Sequence, residues 1–326
     1  MKTISVKELV KGTPIPAAGV ALGLVSLGNL LEPVGEGVRV ALAACAAVLV
    51  VLVIARIVLF PNMVREDMKN PVVAGTSGTF FMAIMQLASV AAPVAFAPAF
   101  ALWCAAVLGH VALIVWFTAT FIARFDLKKV FATYFVAYIG IAVASVTSPA
   151  FGMEPVGRAL FWFAFACYAV LFVVVTVRYA KHEVPEAAKP TLCIYSAPAS
   201  LSLTAYLFVM EEPNLAFVAV LAAFAQVMFL AVLMQLPKLL RLPFYPSYAA
   251  MTFPFVITAT ALGRALACFA DAGFAVPVAL DALGVAEITF ATAMVAYVAA
   301  RYFAMLKGKL VVEAAEPHRL ANDSAR

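Results

Sequence analysis

The chain has 326 residues, of which 66% are hydrophobic and only 12% charged, and its mean hydropathy is +1.04. No water-soluble domain hides that much apolar surface, and the uncharged runs are too long for the short alternating segments of a membrane β-barrel. The net charge of +5 is scattered over short connections between apolar runs, so it reads as membrane topology and not as a nucleic-acid-binding face.

A helix needs roughly 20 mostly apolar residues to cross the hydrocarbon layer. Ten such spans are predicted, at about residues 15–31, 38–60, 72–92, 98–122, 131–149, 155–179, 191–210, 214–236, 247–269 and 277–305. The first has the basic flank of a signal peptide (Lys2, Lys7, Lys11), but Pro14, Pro16 and the lack of a small-residue cleavage site mark it as a retained span. Of the 22 lysines and arginines, all but Arg39, Arg158 and Arg264 fall on one side of the membrane when ten spans are threaded. That asymmetry places both termini in the cytoplasm. The expected organisation is a single ten-helix domain over residues 1–310 and a short polar cytoplasmic tail, expected to be disordered, over 311–326.

The spans alternate in character. Even spans are dominated by Ala, Val, Leu, Ile and Phe, as at residues 41–54, whereas odd spans carry Gly, Ser, Thr, Asn, Gln, Tyr and interior Pro. Polar groups avoid lipid and face the bundle interior. The expected fold is therefore five hairpins, with odd helices lining a central pore and even helices forming an outer ring. Asn29, Gln86, Ser145, Pro198, Ser200, Thr204, Thr252 and Thr258 are the expected pore-lining residues, each with interhelical hydrogen bonding as the competing role.

Span 9 carries the sharpest signal. In Tyr-Pro-Ser-Tyr-Ala-Ala-Met-Thr-Phe-Pro-Phe at 245–255, Pro254 lies between Phe253 and Phe255. A helix-interior proline removes a backbone hydrogen bond and clashes with the preceding turn, which predicts a kink near 250–254. A ring beside a kink can close a passage.

No HExxH, GxSxG or paired membrane aspartates is present, so the sequence offers no catalytic set. The five cysteines fall one per apolar run without CxxC or Cys/His spacing, and no metal or cofactor is expected. No charged residue lies in the middle of an odd span. A proton-coupled carrier ordinarily keeps a membrane carboxylate or histidine as a relay. The nearest candidates, His110 and Glu287, fall in even spans and read as packing groups ahead of relay groups. Passive conduction is favoured, with helix N-termini and cytoplasmic lysines attracting anions. Arg264 is placed to draw anions to the outer mouth or to snorkel to headgroups.

Five hairpins, Pro-Ile-Pro-Ala-Ala-Gly-Val-Ala-Leu-Gly-Leu at 14–24, Ala197-Pro198 in span 7 and Met-Thr-Phe-Pro in span 9 together resemble the tellurite-resistance/dicarboxylate transporter family. That family includes bacterial tellurite-resistance proteins, yeast malate and sulfite transporters and the slow anion channels of plant guard cells. The resemblance, over about residues 11–309, implies a homotrimer with one pore per protomer in the plasma (inner) membrane. It implies passage of small anions (halide, nitrate, oxyanions or C4-dicarboxylates), or alternatively proton-coupled efflux of dicarboxylate, sulfite or tellurite. It also implies a pore plugged by a phenylalanine of span 9, matched here by Phe253, with Phe255 as the alternative. The chain departs from the family in spans 3 and 5, where proline occurs only near the ends (Pro71, Pro93, Pro149) and span 5 has Gly140 instead.

Overall fold

The computed structural model describes residues 6–323, with side chains to Lys307. Every regular element among the described residues is helical. In order it comprises α1 (Val6–Gly12), α2 (Ala17–Leu30), α3 (Glu36–Leu59), α4 (Pro61–Asp67), α5 (Pro71–Thr76), α6 (Gly78–Ala91) and α7 (Phe96–Phe117). These are followed by α8 (Thr133–Ile139), α9 (Ala142–Thr147), α10 (Glu154–Lys181), α11 (Ala197–Val209), α12 (Leu215–Leu239), α13 (Phe253–Asp271) and α14 (Val278–Asp323). Eight helices are long and apolar enough to cross a membrane, or up to 10 if each bent pair counts as one span.

The two bent pairs are the first and fifth expected spans. Pro14 and Pro16 stand between α1 and α2, which meet at 91°, so the membrane-length run begins with a sharp turn. Span 5 bends by 48° between α8 and α9, at Gly140 and Ile141. Span 3 is interrupted at Ser77, between α5 and α6, without any proline. Spans 7 and 9 begin as 3₁₀ turns, Glu186–Ser196 and Pro246–Met251, and become α-helical at Ala197 and Phe253. Pro198 and Pro254 therefore sit in the first turn of α11 and α13. There the missing N–H costs nothing and the fixed φ suits a helix start. The kink expected near 250–254 takes the form of a break at Thr252, between the 3₁₀ turn and α13.

Burial divides the helices as their composition does. Pro71–Ala91, Glu186–Val209 and Pro246–Asp271 bury 56–78% of their most apolar stretch. The Ala/Val/Leu-rich helices α3, α7, α10, α12 and α14 bury 22–39% of theirs. The exposed faces of this second group carry Val48, Leu108, Val170, Val220 and Phe303, apolar side chains suited to lipid.

Groups on α3, α10 and α14 hold the interrupted helices in place. Arg56 of α3, almost wholly buried, donates to the carbonyls of Thr13 (2.6 Å) and Lys11 (3.1 Å) in the bend before α2, and to the carboxylate of Asp67 (2.6 Å). Arg178 of α10 donates to the carbonyls of Lys128 and His182 and stands 4.5 Å from the ring of Phe131, just before α8. Tyr302 of α14 donates its hydroxyl to the carbonyl of Pro246, at the start of the 3₁₀ turn leading to α13. The helical backbone of α14 runs on to Asp323, where the polar composition predicts a disordered tail.

Candidate functional site

Two cavities lie among the interrupted segments. The narrower is bordered by Gly19 of α2, Thr76, Thr79 and Met82 of α5 and α6, Phe135, Val136, Ile139 and Gly140 at the α8 bend, Ile194, Ala197, Pro198 and Leu201 of span 7, and Ala249, Ala250, Phe253 and Pro254 of span 9. All five odd-numbered segments contribute to it, and none of these residues is charged. Measured by where the centre of a water molecule fits, its volume is about 40 Å³, against about 10–15 Å³ needed for one water.

The wider cavity, about 490 Å³ by the same measure, is bordered by Ser26, Asn29, Glu32 and Arg39, by Gln86 and Ser89, by Val146, Thr147 and Pro149, by Phe208, and by Ile257, Thr260, Gly263 and Arg264, among others. On every odd segment the residues at the narrow cavity precede those at the wide one. The five segments thus run in the same direction, from the narrow cavity towards the wide one.

At the narrow cavity the interrupted helices restart. Gly19, Thr79, Ala197 and Phe253 lie in the first turns of α2, α6, α11 and α13. The opening N–H groups are taken up by short turns, as in Gly19 N–H to Pro16 O (2.9 Å), Phe80 N–H to Ser77 O (3.0 Å) and Phe255 N–H to Thr252 O (3.1 Å). What reaches the cavity is therefore the positive end of each helix dipole, about half an elementary charge, acting through an apolar lining.

Phe253 borders the narrow cavity and is 5% exposed. The preceding residue fixes its position: Thr252 Oγ1 donates to the carbonyl of Gly19 (3.0 Å) on α2 and to that of Ala249 (2.7 Å). Phe255 has a different setting. Its ring packs against Phe290 of α14 (5.0 Å between centroids) and Phe229 of α12 (6.0 Å), pinning α13 to lipid-exposed helices. Pro254 borders the narrow cavity beside Phe253.

The expected lining residues divide into two sets. Pro198 borders the narrow cavity, while Asn29 and Gln86 border the wide one. The other five border neither. Ser145 Oγ donates to Gly157 O on α10 (2.7 Å), Thr204 to Ser200 O (2.9 Å) and Thr252 to Gly19 O. Ser200 and Thr258 share a hydrogen bond between α11 and α13 (3.2 Å). Ser145→Ala and Ser200→Ala are each expected to lower stability by about 0.6 kcal/mol, the average for interhelical hydrogen bonds in membranes. Neither is expected to change anion currents, a combination that thermal unfolding in detergent and bilayer recording would check.

His110 of α7 is fully buried, its Nε2 3.0 Å from Ala137 O. It stands behind Gly78 and Gly140, where an added methyl would come within 3.0–3.3 Å of its ring. Glu287 of α14 is 3% exposed and borders neither cavity. Sequence reasoning missed Thr76, Thr79, Met82 and Phe135 as lining residues. It also read Arg39 only as a topology signal, although Arg39 and Arg264 both border the wide cavity.

A family comparison matches residues 13–303 to SLAC1, the voltage-dependent anion channel family. The chain belongs to the SLAC1 family. Membership agrees with the resemblance read from spans 1, 7 and 9, and it assigns the chain to membrane channels and transporters for anions. A search of curated proteins found no match.

Proposed function

We propose that the protein is a passive anion channel of the plasma (inner) membrane, with odd spans enclosing a pore, even spans forming an outer ring, and Phe253 occluding the passage. One observation carries this reading: five similarly directed segments from alternate spans border one uncharged cavity, and Phe253 is part of its wall. The positive ends of α2, α6, α11 and α13 favour anions there without a cationic side chain to trap them. The bias of Lys and Arg puts both termini in the cytoplasm and the wide cavity, with Arg39 and Arg264, on the outer side. The homotrimer is proposed from the family resemblance.

No titratable side chain borders the narrow cavity, which supports conduction without proton coupling. The test is ion replacement in reconstituted bilayers. Currents are expected to reverse at the anion equilibrium potential and to show no drive from an imposed pH gradient. A reversal potential that tracks the cation would overturn the channel reading, and flux driven by the pH gradient would replace it with the coupled-carrier one.

A further inference from the structure

A directed chain of hydrogen bonds runs into the wide cavity. Arg39 Nε donates to Asn29 Oδ1 (3.1 Å), and Asn29 Nδ2 donates to Gln86 Oε1 (2.7 Å). The direction is fixed at its source, because a guanidinium only donates and so each amide must present its oxygen towards Arg39. Gln86 Nε2 then points away from the chain as a donor, and among the described residues nothing accepts from it. Gln86 is 5% exposed and borders the cavity.

A second donor shares this property. Ser26, one turn before Asn29 on α2, is also 5% exposed and borders the same cavity. Its hydroxyl has no hydrogen-bond partner, although a helical serine ordinarily satisfies itself on the carbonyl one turn back. A buried polar group left without a partner is costly, and the Ser26 hydroxyl is one, beside a Gln86 amide N–H that is unpartnered at the same cavity wall; together they mark a place suited to an acceptor.

We propose that Ser26 and Gln86 form an anion subsite at the wide cavity, with Arg39 a positioning residue that polarises the Gln86 amide through Asn29. The chemistry selects a small monovalent anion such as chloride or nitrate. The Arg39 charge is balanced by Glu32 (2.9 Å) and Glu36 (3.3 Å), which leaves two neutral donors and too little positive charge for a divalent oxyanion. Arg264, at the same cavity, packs over the ring of Phe208 (4.6 Å) and has no carboxylate partner among the described residues. It draws anions to the cavity without holding one tightly.

The subsite deepens the anion-channel reading and rests on it for the ion's route, though not for binding. The test uses the purified full chain in detergent, with the midpoint of thermal unfolding followed against sodium nitrate at ionic strength held constant with gluconate. The wild type is expected to show a saturable rise. Ser26→Ala and the isosteric Gln86→Glu are expected to raise the half-saturating nitrate concentration by about fivefold or more, the factor for one net hydrogen bond. Unfolding in gluconate alone reports whether each variant folds, and Ser26→Ala removes only a hydroxyl. No rise in the wild type, or equal half-saturation in both variants, overturns the subsite. Bilayer currents on the same preparations separate the two ideas. Anion current with unaltered nitrate binding in the variants sinks the subsite alone, whereas donor-dependent binding without current sinks the channel reading and leaves the subsite standing.

Discussion

Phe253→Ala is expected to raise anion conductance in reconstituted bilayers by at least about tenfold, the factor that follows from removing about 1.4 kcal/mol of barrier. The narrow cavity admits only about 40 Å³ of water centres, and the Phe253 ring forms part of its wall. On the proposed route an anion sheds water and displaces the ring, and both penalties fall when the ring is gone. The competing effect is lost packing, about 3–5 kcal/mol for a phenylalanine in a closed core. Phe253 borders open space on one side, so its removal enlarges an existing cavity and forfeits fewer contacts. Phe255→Ala provides the contrast. Its ring is wedged between Phe229 and Phe290, so that variant is expected to lose thermal stability without gaining conductance. Equal currents from Phe253→Ala and wild type, at equal protein incorporation, would remove Phe253 from the gate.

The membrane character and eight of the ten expected spans were legible because both rest on composition and length, which lipid enforces residue by residue. The first and fifth expected spans are bent pairs that count as spans only when each pair is taken together. The interruption of span 9 was legible too, since Pro254 forbids an unbroken helix. The interruption of span 3 was not. No proline marks Ser77, and the break follows from packing, with Gly75 so close to Thr133 that an added methyl would lie 2.7 Å from its carbonyl oxygen. Lining residues were the least legible. Polarity in a membrane helix reports that a side chain avoids lipid, and both a cavity and a neighbouring helix satisfy that demand. Ser200 and Thr258 took the second option, while Met82, Ile139 and Leu201 took cavity positions that polarity never marked. The link from Arg39 to Gln86 spans three helices, and no spacing along the chain encodes it.

The placement of Phe253 depends on a contact that glycine alone permits, and this leads to the second large effect. A methyl built on Gly23 of α2 would lie 2.5 Å from Thr252 Cβ and 2.6 Å from its Oγ1, with the Phe253 nitrogen at 3.3 Å. Thr252 cannot retreat without breaking its hydrogen bond to Gly19 O, so Gly23→Ala forces α2 and α13 apart at the break that carries Phe253. Overpacking of this kind costs about 1–3 kcal/mol, and the unfolding midpoint in detergent should fall accordingly. Gly263→Ala is the control, because nothing lies within 4 Å of the methyl it adds. If the clash with Thr252 is the cause, trimming that side chain must relieve it. The double variant Gly23→Ala/Thr252→Gly is therefore expected to be more stable than the sum of its single changes by about 0.5–3 kcal/mol, the coupling typical of residues in contact. Strict additivity in that cycle would mean that α2 and α13 do not meet at Gly23. It would also remove the contact that sets the Phe253 ring at the constriction.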